Sequence, residues 1–241
     1  MMIKVKNLAK AYNQKTLLNI SELSVNNGEF FGLVGNNGAG KTTLLRLLLD
    51  LIRADRGEVY SDDCIVSESE NWKDYTTSYL DEGFLIDFLT PEEYFHFTGE
   101  GYGLSKADTD NKLSAFKDFF NDEVLGQRKK FIRDYSRGNK QKIGIVSALI
   151  TDPGVLILDE PFNSLDPTSQ ILLKRILTDY NRKTGAIVII SSHDLNHVTE
   201  VCSRIAIIEM GQIIRDLPND GKALAALEEY FSVRNAGQPN H

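Results

Sequence analysis

Cysteine is scarce in this 241-residue chain: only Cys64 and Cys202 occur, far apart and in no CxxC pairing. That pattern excludes a disulfide framework and a cysteine-based zinc site, and it fits a reducing compartment. Long apolar runs are missing too. No stretch approaches the ~18 residues needed to cross a bilayer, and the longest candidate, Ile143 to Ile150, is interrupted by Gly144 and Ser147. The opening Met-Met-Ile-Lys-Val-Lys lacks the long apolar stretch of a signal peptide. Positive charge is in deficit, at a net charge of −7, so there is no global footprint for nucleic acid or anionic lipid and no nucleic-acid partner is expected. The basic cluster Arg128-Lys129-Lys130 reads as a solvated face. Work at a membrane would need another chain to supply the span.

What is present is an alternation of strand and helix signals. Ile3 to Asn26 reads as short strands with alternating apolar positions, and Phe30 to Val34 as a buried strand running into a glycine-rich loop. Helical propensity begins at Lys41, and Gly57–Tyr60 and Thr76–Leu80 are short strand candidates. The middle third differs. Thr90-Pro91-Glu92-Glu93 is a helix start with a capping box, Lys106 to Phe120 reads as helix, and a helical insert over roughly 81–142 is expected. Strands return at Val155–Leu158, Ala186–Ser191 and Ile205–Glu209, with helices at Pro167–Arg182 and Asp194–Cys202 between them. Such alternation predicts an α/β fold with a parallel sheet wrapped by helices. A hairpin at Met210-Gly211, a last helix over Lys222–Phe231 and a frayed tail from Asn235 complete the reading.

Two motifs carry chemistry. Gly35-Asn36-Asn37-Gly38-Ala39-Gly40-Lys41-Thr42, followed by Thr43, satisfies the phosphate-loop pattern GxxxxGK[ST] between a strand and a helix. Glycines let successive backbone N–H groups turn inward around phosphates, and the following helix N-terminus adds positive potential. Lys41 is expected to reach the β- and γ-phosphates of ATP, and Thr42 to hold Mg²⁺. The second motif is Val155-Leu156-Ile157-Leu158-Asp159-Glu160-Pro161, a buried strand that delivers two carboxylates at its C-terminal end, where parallel sheets bind ligands. Asp159 suits Mg²⁺ as a hard oxygen ligand, and Glu160 can polarise a water for attack on the γ-phosphate. His193 and His197, four apart, lack the glutamate of a metalloprotease helix, so zinc is not expected.

Three further segments resemble one family. Tyr135-Ser136-Arg137-Gly138-Asn139-Lys140-Gln141-Lys142 resembles the ABC ATPase signature, Asn163-Ser164-Leu165-Asp166-Pro167 its D-loop, and Ser191-Ser192-His193-Asp194 its switch histidine. Tyr12 stands where that family has an aromatic that stacks on adenine. The resemblance spans about Ile3 to Arg215 and implies a P-loop NTPase core with a parallel sheet, an N-terminal antiparallel β subdomain and a helical insert subdomain. The implied division is about 1–80 and 143–215 for the core, 81–142 for the insert and 216–241 for a C-terminal helix and tail.

The resemblance also implies ATP sandwiched between the phosphate loop of one chain and the signature of a second ABC ATPase chain. Ser136 and the Gly138 N–H would contact the γ-phosphate in trans, His193 would position the water beside Glu160, and Asp166 would link the two sites. Separate transmembrane permease subunits are the implied partners, with the chain cytoplasmic and peripheral at the inner face of the membrane, and the YSRGxKQK form resembles an export-type branch. A soluble ABC ATPase and a weakly hydrolysing regulator are the alternatives. Four departures bear on this. Asp81-Glu82 stands where the family has a glutamine, and no glutamine occurs between Gln14 and Gln127. Glu82 is therefore the expected third Mg²⁺ ligand. Arg137 replaces the signature's first glycine and Asn139 its glutamine, with Tyr135 for its leucine. Among the aromatics that follow, Phe84 and Phe88 are candidates for partner docking, and Tyr94 to Phe97 for the core of the insert.

Overall fold

The computed structural model describes residues 1–13, 15–127 and 129–220. The helix expected over Lys222–Phe231, the tail from Asn235 and Arg128 lie outside the described residues.

In place of short strands, the first 26 residues form two long ones, β1 (Met2–Tyr12) and β2 (Lys15–Asn26). Their alternating apolar positions pair directly, Ile3 with Val25 and Val5 with Leu23, so one face of the hairpin is apolar. The chain continues through β3 (Phe30–Val34), α1 (Lys41–Leu48), β4 (Arg56–Ser61), β5 (Cys64–Ile65) and β6 (Thr76–Tyr79). Helices α2 (Pro91–Gly101), α3 (Lys106–Leu113), α4 (Lys117–Phe120) and α5 (Arg137–Leu149) follow with no strand among the described residues between them. Then come β7 (Val155–Leu158), α6 (Pro167–Thr184), β8 (Ile187–Ser192), α7 (Leu195–Val201), β9 (Arg204–Glu209) and β10 (Gln212–Pro218).

Two sheets result. An antiparallel one has the order β2-β1-β4-β5, and the other has the order β10-β9-β3-β8-β7-β6, parallel except for β10. The fold is thus the mixed α/β arrangement of a P-loop NTPase with an antiparallel β unit. Alternation along each central strand sends side chains to two cores. Phe30, Leu156, Val188 and Ile205 pack against α5, α6 and α7. Their neighbours Phe31, Val155, Ile187 and Ala206 face α1 and the antiparallel sheet. Each fully buried leucine, isoleucine or phenylalanine contributes about 1.5–3 kcal/mol, so both faces of the sheet are strongly committed.

Helix boundaries follow local chemistry. Thr90 caps α2 through Glu93 N, with the reciprocal Glu93 bond and Pro91 in the first turn. The stretch from Lys106 is divided, because a 3₁₀ turn over Ser114–Phe116 separates α3 from α4. Helix α5 runs unbroken through Lys142 to Leu149, so the boundary expected there falls inside a helix. Within it, Gly144 lies under the Tyr79 ring, where a Cβ would come within 2.1 Å of ring carbons. Phe95 is buried, whereas Phe97 is exposed, two residues on and therefore on the far side of α2. Phe84 and Phe88 are exposed as well. The Met210-Gly211 hairpin takes positive φ at both residues, the geometry of a tight turn that matches strand twist.

Candidate functional site

Strand order sets the site. β3 lies between β9 and β8, and β7 lies beyond β8, so the C-terminal ends of β3, β8 and β7 share one edge. Val34 pairs with Ser192, and Leu158 with Ile190. The residues that follow these ends are the phosphate loop, His193 and the pair Asp159-Glu160. Sheet topology therefore gathers segments more than a hundred residues apart into one crevice.

The phosphate loop ends at Gly40, whose left-handed backbone (φ 108°) begins α1 without a side-chain cap. A side-chain cap would occupy the first amide groups of the helix, so its absence leaves them for a ligand. Asn36, Asn37, Gly38, Gly40, Lys41, Thr42 and Thr43 line a cavity of about 320 Å³ together with Leu17 and Glu160. Ala39 packs into the core instead, and a Cβ on Gly35 would meet the Ile208 carbonyl oxygen at 2.4 Å. Lys41 is buried, and its Nζ donates to the Gly35 carbonyl at 2.6 Å and lies 3.1 Å from Glu160 Oε1.

At the other wall, Thr42 Oγ1 donates to Asp159 Oδ2 at 2.5 Å. The Ser191 hydroxyl donates to Asp159 Oδ1 and accepts the Glu160 N–H at 2.8 Å. Glu160 holds a left-handed backbone, φ 47°, which a non-glycine residue adopts at a cost. Ser191 fixes it from the amide side, and Gln141 Nε2 donates to its carbonyl at 3.1 Å and to that of Pro161 at 2.6 Å. The Glu160 carboxylate is then held by Lys41 on one oxygen and by His193 Nδ1, 3.0 Å away, on the other. Sequence alone assigns no role to Ser191, Gln141 or Leu17: the first two lie inside recognised motifs, and nothing in the sequence singles out Leu17.

The remaining expected residues stand apart. Ser136 caps α5 by accepting from Asn139 N, with Gly138 in the first turn against the D-loop, where a Cβ would come 2.6 Å from the Ser164 carbonyl oxygen. Asp166 caps α6 through the Ser169 amide and hydroxyl, and these bonds, side chain first, hold its carboxyl below the usual range. Tyr12 is exposed at the tip of β1, its ring 5.1 Å from Lys10 Nζ, and does not line the phosphate-loop cavity. Tyr135 is a buried anchor whose hydroxyl donates to the Val124 carbonyl at 3.1 Å; burial pushes its pKa up to about 12. Glu82 lines a second cavity, of about 200 Å³, with Asp159 and Glu160, but its carboxylate oxygens lie 3.5 Å from Arg137 Nε and 3.5 Å from Lys140 Nζ.

A phosphate loop on a strand-to-helix turn, an acidic pair ending a neighbouring strand and a histidine on that pair define an ATP-binding P-loop ATPase. The family model described as "ABC transporter" matches residues 18–163, more than half of the chain. A lantibiotic transport ATP-binding protein of Streptococcus pyogenes is 32% identical, covering 96% of each chain. A bacitracin transport ATP-binding protein of Enterococcus faecalis is 31% identical over 90% of this chain and 69% of its own. An ABC transporter ATP-binding protein of Synechocystis is 35% identical over 80% of this chain, which spans about half (54%) of that relative's length. A solved ATP-binding subunit of an ABC transporter superposes with a TM-score of 0.85 at 26% identity, covering 96% and 98% of the two chains. A dimeric bacterial ABC transporter cassette has the same fold, with a TM-score of 0.81 at 22% identity over 91% and 99%. The chain belongs to the ABC transporter ATP-binding family. Among the described residues, no helix is long and apolar enough to cross a membrane.

Proposed function

We propose that this chain is the motor subunit of a transporter: it binds and hydrolyses ATP, dimerises around two ATP molecules, and drives separate membrane subunits. The observation that carries this reading is the carboxylate of Glu160, held between Lys41 and His193 at the mouth of the phosphate-loop cavity. In that position it can accept a proton from a water aimed at the γ-phosphate while His193 orients the same water. Lys41, which lies against Glu160, is the cation that a bound γ-phosphate would draw away, leaving the carboxylate free as a base. Ser136 and the Gly138 N–H, at the start of α5, are the groups we assign to the partner's nucleotide, and Asp166 and Tyr12 keep the interface and adenine roles that the family resemblance implies. Export is the direction we favour, on the resemblance of the YSRGxKQK segment to an export-type branch.

The oxygen donors Thr42 Oγ1 and Asp159 Oδ2, already in contact at the cavity wall, suit a small hard cation. Mg²⁺ bound there with ATP would neutralise charge on the transferred phosphoryl group. Glu82 could join these ligands only by leaving Arg137 and Lys140. The test is Glu160→Gln, which keeps size and hydrogen bonding. ATP affinity by calorimetry stays near that of the parent, and turnover falls on the order of 10²-fold or more. Unchanged turnover would remove Glu160, and this reading of the site, from consideration.

A further inference from the structure

Two departures from the family pattern meet in space. Glu82 stands where a glutamine is usual and Arg137 where a glycine is usual, and they face each other at 3.5 Å, with Lys140 at the same distance from the second carboxylate oxygen. Arg137 and Lys140 are one turn apart, so α5 presents both on one face of its first turn. That turn contains no acidic residue. Two cations there oppose the helix dipole, which favours negative charge at an N-terminus. Glu82 supplies that charge from outside the helix.

Its neighbour fixes its direction. Asp81 Oδ1 accepts from Gly83 N at 2.8 Å, capping the 3₁₀ turn over Glu82–Phe84, and Asp81 Oδ2 lies 3.6 Å from Arg46 Nη2 on α1. Asp81 thus ties the turn to the helix that follows the phosphate loop, and Glu82 ties it to α5, the helix that Ser136 caps. The cavity beside this strap is lined by Asp81, Glu82, Asp159 and Glu160. A glutamine at 82 would add no charge to it, whereas an unpaired glutamate would put a further negative charge beside the acidic pair and any bound phosphate.

We propose that Arg137 and Lys140 are positioning residues that hold Glu82 away from the acidic pair, so that the two departures form one compensating unit. The inference rests on the reading of the Asp159–Glu160 crevice as an ATP site. It predicts coupling between residues that would otherwise act independently. In the full chain, Arg137→Gln with Lys140→Gln leaves Glu82 unpaired and free to turn toward the phosphates. ATP binding in the presence of a chelator then weakens about tenfold, while saturating Mg²⁺ removes most of the loss. Adding Glu82→Gln to that variant returns binding without metal to about the parent value, within twofold.

If the triple variant binds no better than the double, the loss comes from the missing cations themselves and the proposal is overturned. A double variant with parental binding overturns it equally. A second arm needs no nucleotide: in hydrogen exchange, Glu82→Gln alone speeds exchange of the 139–142 amides at the start of α5, and unchanged exchange overturns the strap. Should the parent chain bind no ATP, the reading of the crevice falls, and the exchange arm alone decides whether Glu82 holds α5.

Discussion

Asp159 and Glu160 are adjacent in sequence and differ in everything that decides their chemistry. Asp159 is buried, takes hydrogen bonds from Thr42 and Ser191, and donates its own N–H to the Tyr79 carbonyl at 3.0 Å just past the end of β7. Glu160 turns out of the strand through a left-handed backbone and meets two basic side chains. Residue types and spacing show that two carboxylates end a strand, but not which bonds keep them apart. Ser191 lies 31 residues from Glu160, so its contact exists only once β8 lies beside β7. Glu82 follows the same rule: Arg137 stands out in the sequence, yet nothing there pairs it with Glu82, because the two lie 55 positions apart. His197 makes a prediction at this scale. Its Nδ1 is buried with no partner among the described residues, and its ring lies 4.8 Å from that of Phe162. Burial first, then the nearby Lys174, pulls its pKa below the usual 6.5, against the weaker opposing pull of Asp194 and Glu200. The folded state therefore favours the neutral ring. This contribution to stability is complete above pH 6.5 and is lost as the pH falls from there through the folded value. His197→Phe keeps the ring against Phe162 and removes the titration. Thermal melts across this acid range should show a flatter decline for the variant; parallel declines would show that His197 does not carry the effect.

Helix α5 shows how much of an element can be read before its surroundings are known. Ser136 as its cap and the apolar run after Lys142 are visible in sequence, whereas the glycine at 144 and serine at 147 look like interruptions. In the structure Ser147 donates back to the Gly144 carbonyl at 2.8 Å, and Gly144 makes room for Tyr79 on β6. The glycine is a packing residue of a buried helix. Two effects compete at this position. Alanine favours helix over glycine by about 1 kcal/mol, but its methyl would lie 2.1 Å from the Tyr79 ring, and overpacking costs about 1–3 kcal/mol. The clash is with a buried ring that cannot swing away into solvent, so it wins. Gly144→Ala lowers the unfolding midpoint in denaturant, and adding Tyr79→Leu, which removes the ring, narrows the deficit relative to the Tyr79→Leu background. A stabilised single variant would show that β6 and α5 separate at little cost.

At the scale of the molecule, one chain places its phosphate loop and its signature segment in different neighbourhoods. Lys41 lines the phosphate-loop cavity, whereas Arg137, at the start of the helix that Ser136 caps, lines the second cavity with Glu82 and Ser164, and Glu160 is the lining residue the two cavities share. The parallel core was legible because its strands are apolar runs between glycine and proline signals. The antiparallel unit was less so, since two strands of 11 and 12 residues looked like several short ones. If the chain is the motor subunit proposed, a second copy completes the nucleotide site. Light scattering of the Glu160→Gln chain with and without ATP tests it most directly, because slow hydrolysis preserves any sandwich that forms. The 27.1 kDa chain is expected to double in mass when ATP is added and to return to monomer when ATP is removed. A chain that binds ATP and remains a monomer at every concentration would contradict it.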